Sequence, residues 1–397
     1  MSELIESRLT TANPVDPSRV VEAIRSVAGE HAGLHEPEFA GNEWNYVRDT
    51  IDTGWVSSAG SYVDRFEEML AERIGVARVV ATANGTAALH LALLMAGVAP
   101  GDEVLTPALT FVATANAVAY CGAVPHFVDV SEQTLGMDPQ RLALHLDRIG
   151  ERVDGQLVNR NTGRPMRAVL PMHTFGHPVD LDPLIDVCDR FGIVLVEDAA
   201  ESIGSYYKDR HTGGIGRVGA LSFNGNKTVT TGGGGAVITN DGPLGARAKH
   251  LSTQAKVPHR WEYIHDAVGF NYRLPNLNAA LGCAQLEQLD GFLGDKRRLA
   301  ERYAEAFASI PGVRFFVEPP FARSNYWLNA ILLDEPDLAQ RDAVLSATND
   351  AGLMTRPLWR LMHRLTMYAD APRDSLAVSE ALEARLVSIP SSARLGR

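Results

Sequence analysis

The chain has 397 residues, 45% of them apolar and 21% charged, enough to bury a sizeable core and pointing to two domains. Its 48 acidic against 37 basic side chains leave a formal net charge of −11, and with no basic tract to offset it nucleic acid is not an expected partner. The three cysteines (Cys121, Cys188, Cys283) are odd in number and far apart, the longest apolar stretch (Ala87 to Ala99) is too short to cross a membrane, and the opening MSELIESRLT has no apolar core, so a cytoplasmic setting without disulfides is expected.

In chain order, Val20–Val27 predicts a short helix within a loosely patterned arm, residues 1–35. From about residue 76 short β-like runs alternate with helical patterns. Val76–Thr82 predicts a strand, Thr86–Ala96 a helix, Glu103–Leu105 a strand, Phe111–Cys121 a helix and Val124–Val128 a strand. Ala168–Met172, Leu181–Phe191 and Ile193–Val196 continue as strand, helix and strand. The strands are continuous apolar runs, as in a mostly parallel sheet covered by helices on both faces. After residue 215 the rhythm changes. Val218–Phe223 and Gly235–Thr239 read as strands flanking the cluster Gly232 to Gly235, and Leu277 to Leu289 reads as a helix. The last hundred residues read as a separate α+β unit. The expected division is an arm over 1–35, a large domain over 36–275 and a small domain over 276–397.

Four segments fall at predicted strand ends, where open α/β sheets place ligands. NGTAALHLAL (Asn84 to Leu93) is a small glycine-bearing turn running into a helix. Its free N–H groups and the helix dipole suit a phosphate, to which the Thr86 hydroxyl could add a bond, although an ordinary Asn N-cap weighs equally. VLVEDAAESIG (Val194 to Gly204) ends a buried strand in Glu197 and Asp198. A carboxylate there is costly without a cationic partner, such as a protonated pyridine nitrogen; a structural acid capping the next turn is the plainer alternative. SFNGNKTVTTGGGG (Ser222 to Gly235) holds Lys227 in a small polar loop between strands, which suits a Schiff-base lysine as well as a surface hairpin. It fits neither a P-loop nor a dinucleotide fingerprint, because a strand and not a helix follows the glycines. GFNYRLPNLNAAL (Gly269 to Leu281) is by itself a helix entry. His173 and His177 are four apart, but Gly176 and Pro178 argue against a helix there, so no metal site is expected.

Together and in this order, NGTAAL, EDAAESIG, SFNGNKTVTTGGGG and GFNYRLPN resemble the DegT/DnrJ/EryC1/StrS sugar aminotransferases of the aspartate-aminotransferase superfamily, over roughly residues 35 to 395. The resemblance implies fold type I, with a large mostly parallel-sheet domain and a smaller α+β C-terminal domain, and pyridoxal 5′-phosphate (PLP) as cofactor. It implies that Lys227 carries the cofactor as a Schiff base and that Asp198 pairs with the pyridine nitrogen. Gly85, Thr86 and Ser222 would bind the phosphate, Phe111 would stack on the ring, Ala200 would lie on the opposite face and Glu201 near the ring hydroxyl. Asn271 of a partner subunit would reach the phosphate, and Arg273 would line the shared site of a homodimer. Asn224 stands where many relatives carry His, and is placed with Arg273 and Arg356 on the substrate side. The segments STQAK (Ser252–Lys256), SNYW (Ser324–Trp327) and TRPLWRLMH (Thr355–His363) resemble the bacillosamine- and legionaminic-type subgroup. That subgroup aminates nucleotide-linked 4-keto-6-deoxy sugars bearing a 2-acetamido group, with L-glutamate as donor. The competing readings are a PLP-dependent sugar dehydratase, which would carry His in place of Lys227, a non-catalytic PLP-binding protein, and a nucleotide-dependent oxidoreductase, which would need the missing glycine fingerprint.

Overall fold

Helix α1 (Pro17–Ala28) begins where Asp16 accepts the N–H of Ser18 and Pro17 takes the first helical turn, a position at which its missing N–H costs nothing. The computed structural model describes residues 14–397; the opening MSELIESRLT lies outside them. Two helices, α2 (Glu43–Asp52) and α3 (Ser61–Ile74), precede the sheet. Then β1 (Arg78–Thr82), α4 (Gly85–Met95), β2 (Glu103–Pro107), α5 (Val112–Tyr120), β3 (Val124–Val128) and α6 (Pro139–Ile149) follow in alternation. A hairpin of β4 (Gly150–Val153) and β5 (Gln156–Asn159) leads into β6 (Arg164–Val169), α7 (Leu181–Phe191) and β7 (Val194–Asp198). The short strands β8 (Tyr206–Tyr207) and β9 (Arg210–His211) come next, then β10 (Val218–Ser222), β11 (Gly235–Thr239) and α8 (Gly242–Ser252).

The main sheet has the order β1-β11-β10-β7-β6-β2-β3, with β5 and β4 added antiparallel at the start of β6. The run from β10 to β3 is parallel, and on the path from β1 to β3 only β11 opposes both its neighbours. A direct return explains the exception: one loop, residues 223–234, joins β10 to β11 with no crossover helix. Side chains alternate across the sheet as the strand period requires. In β11, Val237 packs with α4, while Ala236 and Ile238 pack with Phe66 and Leu70 of α3.

Beyond a small hairpin of β12 (Lys256–Val257) and β13 (Ile264–His265) come α9 (Asn276–Leu286), α10 (Leu289–Phe307), β14 (Val313–Phe315), β15 (Ala322–Arg323) and β16 (Asn329–Leu333). The chain ends with α11 (Leu338–Asp350), β17 (Arg356–Pro357), α12 (Ala377–Glu383) and β18 (Leu386–Ile389). An antiparallel sheet β14-β16-β18-β17 forms the small domain. Ile331 and Leu333 of β16 face α1, α10 and α11, while Ala330 and Leu332 face Leu109, Val130 and Phe175 of the large domain.

Within the described part of the expected arm, Val20, Ile24 and Val27 of α1 pack into the small-domain core. Across the expected boundary at residue 275, Ala279 and Cys283 of α9 pack with Phe66 and Leu70 of α3. One expectation is corrected. The helix expected over Leu277–Leu289 breaks after Leu286, and a new one starts at Leu289.

Candidate active site

The first wall is built where β1 turns into α4. Asn84 caps the helix, its Oδ1 accepting the N–H of Ala87 at 2.8 Å. The N-cap reading and the phosphate reading are therefore compatible: the cap holds the turn, and the first N–H groups of α4 open into a cavity beside Thr86 and Ser222. Gly85 is required here because a Cβ on it would come within 2.7 Å of the Ser222 Cβ. Gly235 is required for the same reason on the next strand, since its Cβ would lie 2.5 Å from the Asn84 carbonyl oxygen.

The floor is Asp198 at the end of β7. It is almost fully buried and has neutral donors only: the Thr114 hydroxyl donates to Oδ2 at 2.7 Å and the Ala200 N–H to Oδ1 at 3.2 Å. Burial raises its pKa above the ordinary carboxylate value, and these two bonds only partly oppose the shift. A cation brought into the cavity would satisfy it. Its neighbour Glu197 points to the other side of the strand, where His173 Nε2 lies at 3.0 Å and the N–H groups of Gly213, Ile215 and Gly216 donate. Burial pushes the Glu197 carboxyl up, but those bonds outweigh it and hold its pKa below the usual range. Glu197 is thus the structural acid and Asp198 the one that faces the cavity. His173 and His177 flank a 3-10 turn, Thr174–Gly176, and His177 packs edge-on against Phe316 and Tyr326.

The Lys227 amine enters from the loop between β10 and β11. Its Nζ donates to Glu201 Oε1 at 3.0 Å and lies 3.7 Å from the centre of the Trp327 ring. Glu201 also accepts the N–H of Phe175 at 2.9 Å, and Phe175 holds a left-handed φ of 57°. Burial raises the Glu201 carboxyl to about 7, with Lys227 as the main opposing influence. Trp327 is itself fixed: its indole N–H donates to the Asn226 carbonyl at 2.7 Å and its backbone N–H to Asn325 Oδ1 at 2.8 Å.

These walls enclose about 330 Å³. Of the residues singled out in the sequence, Gly85, Thr86, Phe111, Asp198, Ala200, Glu201, Ser222, Asn224 and Lys227 line this one cavity. The set fits PLP: a cradle of N–H and hydroxyl groups for a phosphate, a buried carboxylate for a cationic ring nitrogen, and an amine within the same space. Arg356 lines a second cavity of about 640 Å³ that shares Asn226, Trp327 and Trp359 with the first. Asn271 is exposed and outside both cavities of its own chain. Arg273 is buried in its own chain. Its backbone bridges to Thr82, but its guanidinium turns inward and pairs with Glu67, a buried acid that also accepts the Ala81 N–H. Within this chain it is a structural cation and not a free group for a ligand.

Sequence reasoning did not single out Thr114, Met172 or Asn226, all of which line the cavity. Trp327 and Trp359 entered only as parts of subgroup patterns. Thr114 sits four residues after Thr110 on the first turn of α5, and the two hydroxyls lie 2.6 Å apart, but nothing in that spacing points to Asp198, 84 positions away.

A family model described as the DegT/DnrJ/EryC1/StrS aminotransferase family matches residues 37–397. The chain is 37% identical over 362 residues to the GDP-perosamine synthase of Caulobacter vibrioides, covering 90% of this chain and 92% of the relative. It is 36% identical over 359 residues to the GDP-perosamine synthase of Vibrio cholerae, covering 90% and 93%. Among solved structures, the aminotransferase TlmJ from Streptoalloteichus hindustanus superposes with a TM-score of 0.81 at 30% identity, covering 90% of this chain and 93% of that one.

Proposed function

This chain belongs to the DegT/DnrJ/EryC1/StrS aminotransferase family, and we propose that it moves an amino group from L-glutamate to the 4-keto carbon of a nucleotide-linked 4-keto-6-deoxy sugar. Membership makes it a sugar aminotransferase of PLP fold type I, with PLP as its cofactor. The observation that carries the finer reading is the meeting of the Lys227 amine, the buried Asp198 carboxylate and the N-terminus of α4 in one cavity.

In this reading Gly85, Thr86 and Ser222 hold the phosphate, Phe111 and Ala200 take the two ring faces, and Glu201 stands on the side of the ring hydroxyl. Asp198 gives the ring nitrogen a carboxylate, and the nitrogen gives Asp198 the cationic partner that its burial calls for. Bound PLP supplies an electron sink for the pair left behind when a proton leaves carbon. Lys227 Nζ holds and moves that proton, with Glu201 at 3.0 Å orienting the amine. Donor and acceptor then use one site in turn, which gives ping-pong kinetics. Arg356, beside Trp359 in the adjoining cavity, suits the diphosphate of a nucleotide-linked sugar, and Asn224 lines the substrate side. A dehydratase would require His at position 227.

The subgroup segments keep a 2-acetamido group in the proposal, and the relatives named for GDP-perosamine bring GDP-linked sugars into the same test. We further infer a homodimer with shared sites. The exposed hairpin carrying Trp261 and Tyr263, together with exposed Asn271, supports it. The buried free cysteines fit a cytoplasmic setting, and among the described residues no helix is long and apolar enough to cross a membrane.

The deciding assay offers L-glutamate with UDP- and GDP-linked 4-keto-6-deoxy sugars, each with and without a 2-acetamido group. One of these sugars should be aminated, and L-glutamate alone should bleach the protein's visible absorbance. The Lys227→Ala variant should lose both that absorbance and turnover. Normal turnover by the variant would remove Lys227 from the mechanism.

A further inference from the structure

A second lysine lies behind the wall that faces Lys227. Lys296, on the second turn of α10, is fully buried. Its ammonium reaches three groups: the Ser391 carbonyl at 2.7 Å, His35 Nε2 at 3.0 Å and the Trp327 carbonyl at 3.2 Å. Among the described residues no carboxylate lies within ion-pair distance of it. Burial lowers its pKa to about 7, with no opposing charge. His35 is held neutral, its pKa pushed well below the ordinary value by burial and then by the charges of Lys296 and Lys227.

An ammonium in a core without a counter-charge is costly, although its three hydrogen bonds satisfy acceptors that would otherwise be left without a donor. Stability alone therefore gives an incomplete reason for this residue. Geometry gives a better one. The three acceptors come from chain positions 35, 327 and 391, and an ammonium is the side chain with three N–H donors on one atom. The middle acceptor belongs to Trp327, whose ring face lies 3.7 Å from Lys227 Nζ and whose indole N–H grips the backbone of Asn226, next to Lys227. Asn325 secures the peptide from the other side, binding the carbonyls of Glu201 and Ile203 at 2.9 Å each. A chain of direct contacts thus runs from Lys296 through Trp327 to the amine and its loop.

We propose that Lys296 is a positioning residue for Lys227, acting by clamping Trp327 against the lysine loop. The proposal rests on the reading of Lys227 as the proton-transferring amine. Without the clamp the Trp327 ring gains freedom, and the amine loses the surface that fixes its approach. Displacements of that size away from the reacting atoms reduce the rate of chemistry more than substrate affinity.

The test compares Lys296→Met, Trp327→Phe and the double variant as holoenzymes, with His35→Phe as a milder way to open the clamp. Lys296→Met removes a buried charge but leaves three acceptors without a donor, so it should melt at or a few degrees below the wild-type temperature, and its rates are referred to folded holoenzyme. Its kcat should fall about tenfold or more while KM for the sugar stays within about twofold. Its apoenzyme should also capture PLP about tenfold more weakly, a readout independent of turnover. The double variant should be no worse than the poorer single, since both changes break one chain of contacts. His35→Phe should show the same split between kcat and KM in smaller measure. Wild-type kcat in Lys296→Met or in His35→Phe overturns the proposal, as do multiplicative effects in the double variant. A lower melting temperature with unchanged kcat per folded holoenzyme also overturns it, leaving Lys296 a structural residue. These outcomes are separate from turnover by Lys227→Ala, which would instead sink the reading of Lys227.

Discussion

Asp198 shows how much one buried atom pair decides. Its carboxylate has a hydroxyl and an amide for partners and no cation, so the ionised form is costly until a positive ring nitrogen arrives. Asp198→Asn keeps the shape and can still accept from Thr114. The apoprotein should therefore melt at the wild-type temperature or above it, while kcat falls by roughly a hundredfold or more for want of the charge that keeps the ring protonated. Calorimetry of the apoprotein, PLP titration and steady-state rates check this together. A loss of melting temperature with normal turnover would make Asp198 a structural acid like Glu197. At this scale the sequence was most legible where chemistry sits on a strand end or a glycine turn: Asp198, Ser222, Gly85 and Lys227 all line the cavity. It was least legible where a residue acts through a distant contact. Trp327 lies 100 positions from Lys227, and Arg273 stands in a motif beside the site while its side chain turns away to Glu67.

Among the elements, α6 carries a buried link whose protonation matters to the fold. His145 lies 2.7 Å from His126 between their Nε2 atoms; His126 bonds Glu103 on β2, and His145 faces Asp374 and Arg148. Burial lowers His145 to about 4, helped by His126 and opposed by Asp374. Burial likewise lowers His211 to about 4 and His177 to about 3. Each of these groups has its folded pKa below the unfolded value of 6.5, so its contribution is complete above pH 6.5 and is lost as pH falls towards 4, or towards 3 for His177. The melting temperature should drop steadily over that window. His145→Gln should drop less, by about 2 °C or more across the same window. Equal slopes in the two proteins would show that His145 does not titrate on unfolding.

The elements themselves were read best where strands are buried on both faces or helices have one apolar stripe. Val124–Val128, Leu181–Phe191 and Gly235–Thr239 have the bounds expected of them. The strand expected over Ala168–Met172 instead runs Arg164–Val169, starting earlier and stopping short of Pro171, beyond which one isolated bridge joins Met172 to Asp198. Helix α3 was not read, although it carries an apolar stripe of Val63, Phe66, Leu70 and Ile74. Helix α2 has none: its buried residues are Glu43 and Thr50, and it is held by bonds from Gln285 and Gln288 to Glu43 that only the fold brings together.

For the whole molecule, the proposed dimer makes a prediction about mixtures. Asn271 is exposed and outside its own cavity, so a charge there should harm a partner's phosphate site and leave its own untouched. Asn271→Asp and Lys227→Ala are each expected to be severely impaired alone. When subunits exchange, a mixed dimer holds one site with both defects and one with neither. Random pairing then returns roughly a quarter of wild-type activity under two-fold symmetry. No recovery, with exchange shown by mass-tagged chains, would confine each site to one subunit.

The packing of α1 into the small domain has a consequence during synthesis. Val20, Val21, Ile24 and Val27 are buried against α10 and α11, which are translated some three hundred residues later. At about 5–20 residues per second, that apolar face waits on the order of tens of seconds for its partners. The large sheet can be completed on the ribosome in that interval, since its last strand, β11, ends at Thr239. Helix α1 cannot begin to be covered until α10 emerges, nor be fully buried until α11 follows, and until then the nascent chain offers its apolar face to a chaperone or to the same helix on a neighbouring chain.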